Sequence, residues 1–498
     1  IYTNSQTPVL SYRDIIIEHV MSLGNYPVTR KDFTPNRRGF VGLLAAAGIL
    51  PASQLMGAQT SGQSSGNGSD GGQPEPAPED VETIRLDRIG RYATGEALGG
   101  AEIVSYQAGD SRLFVVNSNA GQVEVLDLSD PTDPTQDSIL EASELVASEG
   151  SVVDSVGGTN SVDVRGDIVA AAIEADPATN DGAVAFYDAG ALEFLNAVQV
   201  GPLPDKVTIS PDGSHVAVAN EGEPGAETDP AVSVTIIDIE DGVESVSAST
   251  ATFTEFDGQE QELREEGIHI VSQAEEPATF SQSVEPEFVT FATDSQSVFV
   301  SLQENNAIAT IDVDSASVTN VDGLGFKNFS LPGNELDTSD ADGPSLQRWP
   351  LLGMYQPDAI DAYEVAGQTY ILTANEGDAK DFEVSLLGDL DLDPAGFELS
   401  ENPYVDTVEE LKEPQNLGNM EVNEAAMAEF ADPDEQGVYT DIYAIGTRSF
   451  SVWEPTADGL QRVFDSGNRF EQEFIEQHPD GHLNTVESGP ETESIELG

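Results

Sequence analysis

Three features of the sequence predict an all-β chain folded as a seven-bladed β-propeller. Apolar residues fall in strand-sized runs, Gly, Pro, Asn and Asp break those runs into turns, and one turn-strand-word phrase recurs along the chain. Two distant strands even end in the same word, Ala-Asn-Glu-Gly, at residues 219–222 and 374–377. A β-sandwich is the competing arrangement, but its strands do not repeat one phrase many times over.

In chain order, residues 1–81 read as lying outside that fold. Residues 1–35 form an N-terminal extension in which Met21 is a candidate start. Residues 36–58 read as a twin-arginine export signal, because Arg37 and Arg38 precede the apolar run Phe40–Leu50. That run is too short to span a bilayer as a helix. A buried helix is the alternative, but the Gly/Ser/Gln/Pro-rich segment 59–81 reads as a flexible linker and offers it nothing to pack against.

The propeller is expected over residues 82–498. Each repeat opens with a small residue or proline and an acid, continues as an alternating strand to an Asp/Gly turn, and then gives a more apolar strand ending in a polar word. A third strand follows, often ending in Asp. Copies start at Ala101, Ser161, Pro204, Pro286 and Pro357, a weaker one starts at Asp441, and Pro490 opens another that stops at the chain end. "TIRLDRIGRYATG", from Thr83, is expected to close the last blade, which is then incomplete at its C-terminal side.

Composition narrows the function. A net charge of −72, from 19 basic and 91 acidic residues, opposes nucleic-acid binding. The acids are spread along the whole chain, which suits a surface adapted to concentrated salt, where screening reaches within a few ångströms. With no cysteine there is no disulfide, thiolate metal site or lipid-modified cysteine. The sequence carries no Gly-x-Ser-x-Gly elbow, P-loop or HExxH motif. Nothing calls for a haem or nucleotide cofactor, and no transmembrane segment is expected.

The phrases "PDKVTISPDGSHVAVANEGEP", "SLQENNAIATID", "SLPGNELDTSDADG", "WPLLGMYQPDAI" and "TANEGDAKDF" resemble those of the choice-of-anchor I proteins, over roughly Arg85 to Gly498. The resemblance implies an extracellular propeller of the YVTN/lactonase-like group with a variable C-terminal anchor. Some members carry an alkaline-phosphatase label.

In a propeller, the start of each inner strand and the end of each second strand meet at one end of the channel. The inner set is Glu102, Asp205, Glu287, Asp358 and Glu491, with Ser161 or Asp163 in the second blade. The second set is Ser118, Glu174, Glu221, Glu304, Glu376 and Arg448. Carboxylates converging on one rim repel each other unless protonated or neutralised by a cation. Ca²⁺ fits an all-oxygen donor set, whereas five scattered histidines argue against zinc.

Each word also has a purely architectural reading, as a turn with Gly at positive φ. Two further words could hold calcium: "DTSDADG", with Asp337, Asp340 and Asp342, and "DPDEQG", with Asp432, Asp434 and Gln436. Arg448 and Lys380 could bind an anionic ligand or pair with neighbouring acids. The expected protein is an exported, monomeric module that binds an extracellular ligand, glycan or protein. The alternative is a calcium-dependent phosphoesterase or a lactonase-like hydrolase.

Overall fold

The computed structural model describes residues 89–477 except 96–99, 142–151, 154, 223–229, 272–278, 340–342, 381, 398, 400–401, 403 and 431–437, together with 492, 495–496 and the backbone of 44–45. The export-signal, linker and "DPDEQG" readings lie outside the described residues, as do Asp340, Asp342 and Glu491.

Five four-stranded antiparallel sheets follow one another along the chain. The first spans residues 104–140, the second 156–202, the third 204–251 and the fourth 289–323. The fifth comprises Ile360–Val365, Gln368–Asn375, Ser449–Thr456 and Gly459–Asp465. The first strands of consecutive sheets lie side by side, from Val104–Gln107 through Val156–Arg165, Pro204–Ile209 and Val289–Phe291 to Ile360–Val365. The last strands of the second to fifth sheets are likewise neighbours. Inner strand beside inner strand and outer beside outer is the radial order of a β-propeller.

Strand composition follows from this stacking. A blade between two neighbours buries both faces, and alternate residues point to opposite faces. In the second sheet Ala171 and Ile173 pack toward the first sheet with Phe114 and Val116, while Ala170 and Ala172 pack toward the third with Val207 and Val216. Continuous apolar runs result where a one-sided sheet would alternate. Full burial of a valine- or isoleucine-sized side chain contributes about 1.5–3 kcal/mol, so these shared layers hold the blades together.

The copy expected at Asp441 is corrected. Its strand Ser449–Thr456 pairs antiparallel with Gln368–Asn375, so it is the third strand of the blade that starts at Pro357. Residues 376–448 form an insertion between the second and third strands of that blade. Strands of the insertion complete a five-stranded sheet begun by Phe326–Asn328 and Leu352–Met354. This unit has its own core of Trp349, Leu387, Leu411, Met420 and Met427. The described residues contain five complete four-stranded blades. Ile495 packs on the free face of the fifth with Ala359, Leu372, Ala374 and Val452, where a further inner strand would lie. At the other end Tyr92 covers the open face of the first sheet, beside Leu113 and Leu126. No helix among the described residues is long and apolar enough to cross a membrane.

Candidate functional site

The repeated word separates into an internal half and a rim half. Asn220 and Asn375 are buried at the ends of the second strands. Asn220 donates to Ser233 Oγ at 3.2 Å and to Thr235 Oγ1 at 2.9 Å. Asn375 donates in the same way to Ser449 Oγ at 3.2 Å and Ser451 Oγ at 2.9 Å. Each asparagine ties its strand to hydroxyls of the third strand of its own blade. Gly222 and Gly377 then turn the chain at φ of +70° and +92°. At Gly377 the requirement is also spatial, because a Cβ there would sit 2.2 Å from the Cα of Gly446 where the insertion returns. Of the two glutamates between Asn and Gly, Glu221 lies near enough to Glu287 to raise its pKa.

Five of the expected rim acids come together. Glu287 feels the charges of Asp358, Glu304, Asp205 and Glu221, from three consecutive blades. Burial first, and then this repulsion, holds its carboxyl well above the ordinary range. Glu287 retains some exposure as a residue, but its Oε2 is enclosed and has no hydrogen-bond partner among the described residues. Burial, followed by the charge of Glu285, lifts Glu304 to about 8. Glu376 accepts from Gln303 Nε2 at 3.1 Å. As placed, no three His, Asp or Glu side chains among the described residues stand together as a ready ligand set.

Other sequence-predicted residues do different work. Glu102 is exposed just before the first inner strand. Glu174 folds back on its own blade and accepts from the Gly158 N–H at 2.8 Å. Ser118 donates to the Thr159 carbonyl at 3.2 Å. Ser161 Oγ accepts from the Val207 N–H at 3.2 Å, and Asp163 bridges Ser105 Oγ at 2.9 Å and the Ile209 N–H at 2.8 Å. These two residues fasten the inner strands of the first three blades.

Arg448 lies inside the protein, donating to Glu471 Oε1 at 2.7 Å and to the Asp337 carbonyl at 2.9 Å. Asp337 completes the clamp with its own N–H, 2.7 Å from Glu471 Oε2. Lys380 pairs with Glu285. Burial opposes its charge, but Glu285 and Glu304 outweigh that and raise its pKa.

Next to Lys380 lies a cluster that residue spacing did not reveal. His269, 1% exposed, stands between Glu383 and Glu429, with Nε2 3.0 Å from Glu383 and Nδ1 against Glu429. Arg264 also pairs with Glu429, and Asn423 donates to Glu383 Oε2 at 2.7 Å. Burial disfavours the imidazolium, but the two carboxylates dominate and bring its pKa up to about 9. With an acid at each ring nitrogen, both nitrogens donate. His269 precedes the fourth blade and both acids belong to the insertion, so no local motif could announce the contact.

The family model of the choice-of-anchor I domain matches residues 102–498. No curated protein matches the chain. Among solved structures, a functionally unknown protein from Desulfotomaculum acetoxidans is 13% identical, covering 59% of this chain and 67% of its own, with a TM-score of 0.34. A β-propeller domain from Myceliophteria thermophila is 11% identical, covering 56% of this chain and 85% of its own, with a TM-score of 0.30.

Proposed function

Because the chain belongs to the choice-of-anchor I domain family, we propose that it is a cell-surface or extracellular propeller acting as a binding module, with a calcium site at one rim of its channel. The observation that carries the cation is Glu287. Its enclosed Oε2 has no partner among the described residues, and the neighbours that raise its pKa are acids. A hard divalent cation offsets that repulsion and takes oxygen donors without needing cysteine or histidine. Glu287, Glu304, Glu221, Asp205 and Asp358 would draw in around it, each supplying carboxylate oxygen. Arg37 and Arg38 support export by the twin-arginine route, and the dispersed acidity supports a high-salt habitat.

The hydrolase alternative needs a basic group to steer a phosphoester. Its two candidates are engaged elsewhere, Lys380 with Glu285 and Arg448 with Glu471. The binding module is therefore the reading adopted. Calorimetric titration of the metal-free protein with CaCl₂ tests it. Calcium should bind near one to one, and the double variant E287Q/E304Q should bind it at least about ten-fold more weakly. Undiminished affinity in that variant would remove the rim from consideration.

A further inference from the structure

Lys380 is brought to its place by the insertion, on the loop that leaves the second strand of the fifth blade. That loop is fastened at several points. The Gly377 N–H donates to the Gln356 carbonyl at 3.1 Å, Gln356 Nε2 donates to the Asp378 carbonyl, and Gln356 Oε1 accepts from the Gly446 N–H at 3.0 Å where the insertion returns. Gln356 itself is buried. The insertion thereby holds an ammonium against acids that lead into and leave the strands of the fourth blade.

Three carboxylates act on that one ammonium. Lys380 pairs with Glu285 and feels the charges of Glu304 and Glu383. The two blade acids are held by Asn305: the Glu285 N–H donates to its Oδ1 at 3.2 Å, and its Nδ2 donates to the Ser283 carbonyl at 3.2 Å and the His269 carbonyl at 2.8 Å. Glu304 is the residue before it. Glu383 is 1% exposed, and one of its oxygens takes both of its side-chain partners, with His269 Nε2 and Asn423 Nδ2 each on Oε2. Its Oε1 is enclosed and has no hydrogen-bond partner among the described residues. A buried carboxylate oxygen in that condition marks a place for an ion or a water.

Glu304 joins this group to the rim, because its charge also acts on Glu287. Two acidic groups thus share one carboxylate and differ in what neutralises them. The charged neighbours that shift Glu287 are acids, whereas the second group holds the Lys380 ammonium. An ammonium is a compact point charge on a flexible stem, the side chain closest to a bound ion. The Lys380 side chain is 18% exposed, so an ion can reach this position from solvent without the fold opening.

We propose that the rim is a two-cation site with one position filled by the chain itself: the Lys380 ammonium occupies a second divalent-cation position formed by Glu285, Glu304 and Glu383, and so limits the protein to one calcium. The inference rests on the calcium reading of the rim given above. Removing the ammonium while keeping the three carboxylates opens the second position to a hard cation that takes oxygen donors. Calorimetric titration of the metal-free full chain with CaCl₂ counts the ions, in concentrated KCl so that loose binding to the acidic surface is screened.

Wild type and Lys380→Arg, which keeps the charge, should each take one calcium. Lys380→Gln should take two, and the double variant K380Q/E285Q should lose the second again. If Lys380→Gln unfolds in chelator, calcium should refold it with two ions bound. A single ion in Lys380→Gln, even one held more tightly, would overturn the proposal, as would a second ion that persists in K380Q/E285Q or a variant that calcium cannot refold. Wild type that takes no calcium would remove the Glu287 site alone. In that case one ion in Lys380→Gln still supports the second position, and none overturns it too.

Discussion

The ionisation of Glu304 should set how tightly the rim holds calcium, and the structure gives the size of the effect. Burial and then Glu285 move its carboxyl from 4.5 to about 8. That difference favours the neutral acid by about 5 kcal/mol. A group titrating at about 8 is about 3% ionised near pH 6.5 and about three quarters ionised near pH 8.5. If calcium takes only the carboxylate, its apparent affinity rises about twenty-five-fold between those pH values, or about 2 kcal/mol.

Without calcium the linkage runs the other way. The unfolded chain gives up this proton first, so stability falls as pH rises from 4.5 to about 8. Calorimetry in two buffers of different ionisation enthalpy measures affinity and proton release together. The wild type should release about one proton per calcium near pH 6.5, whereas E304Q should show a flat profile. Equal calcium affinity at both pH values, with no proton released, would refute the reasoning.

Two further outcomes follow from the geometry around the insertion. His269→Gln leaves Glu383 and Glu429 buried without their shared cation, and urea unfolding should show a loss of about 3–5 kcal/mol. Because the folded pKa of His269 is raised from 6.5 to about 9, its contribution is fully present below 6.5 and lost as pH rises through about 9. The gap between wild type and variant should close over that range, and a gap independent of pH would sink this account. Gly446→Ala puts a Cβ 2.2 Å from the Glu376 carbonyl at φ +70°, whereas Gly213→Ala meets open space at φ +73°. Thermal unfolding should show Gly446→Ala less stable than Gly213→Ala by roughly 1–3 kcal/mol; equal melting temperatures would mean the crossing is not tight.

The parts of the fold legible in the sequence were those set by short-range period. An inner strand that begins Pro-Asp or Pro-Glu puts its acid at a fixed register, so Asp205, Glu287 and Asp358 could be placed at one end of neighbouring strands before any contact was known. The word Asn-Glu-Gly could be placed at the same end for the same reason. Its internal role could not, because the partners of Asn375, Ser449 and Ser451, lie beyond the insertion. That same interruption made "DIYAIGTRSFSVWE", from Asp441, read as a blade of its own when its strand Ser449–Thr456 is the third strand of the blade before it. The pairing of His269 with Glu383 and Glu429, and of Arg448 with Glu471, joins segments with no shared motif. Only packing brings them together.

The placement of the few basic residues gives the rim its meaning. With 19 lysines and arginines against 91 acids, most carboxylates must rely on solvent. Inside the fold, however, the cations sit where acids would otherwise meet. Lys327 lies 3.0 Å from Asp465, Arg448 lies 2.7 Å from Glu471, Arg264 and His269 hold Glu429, and Lys380 holds Glu285. Burying a carboxylate beside such a partner is tolerable, whereas burying it beside other carboxylates is not. Around Glu287 the pattern breaks, because the charged neighbours that shift it are Asp358, Glu304, Asp205 and Glu221. Glu429, Glu471 and Asp465 each meet a cation, Glu287 meets acids, and the calcium proposal rests on that contrast.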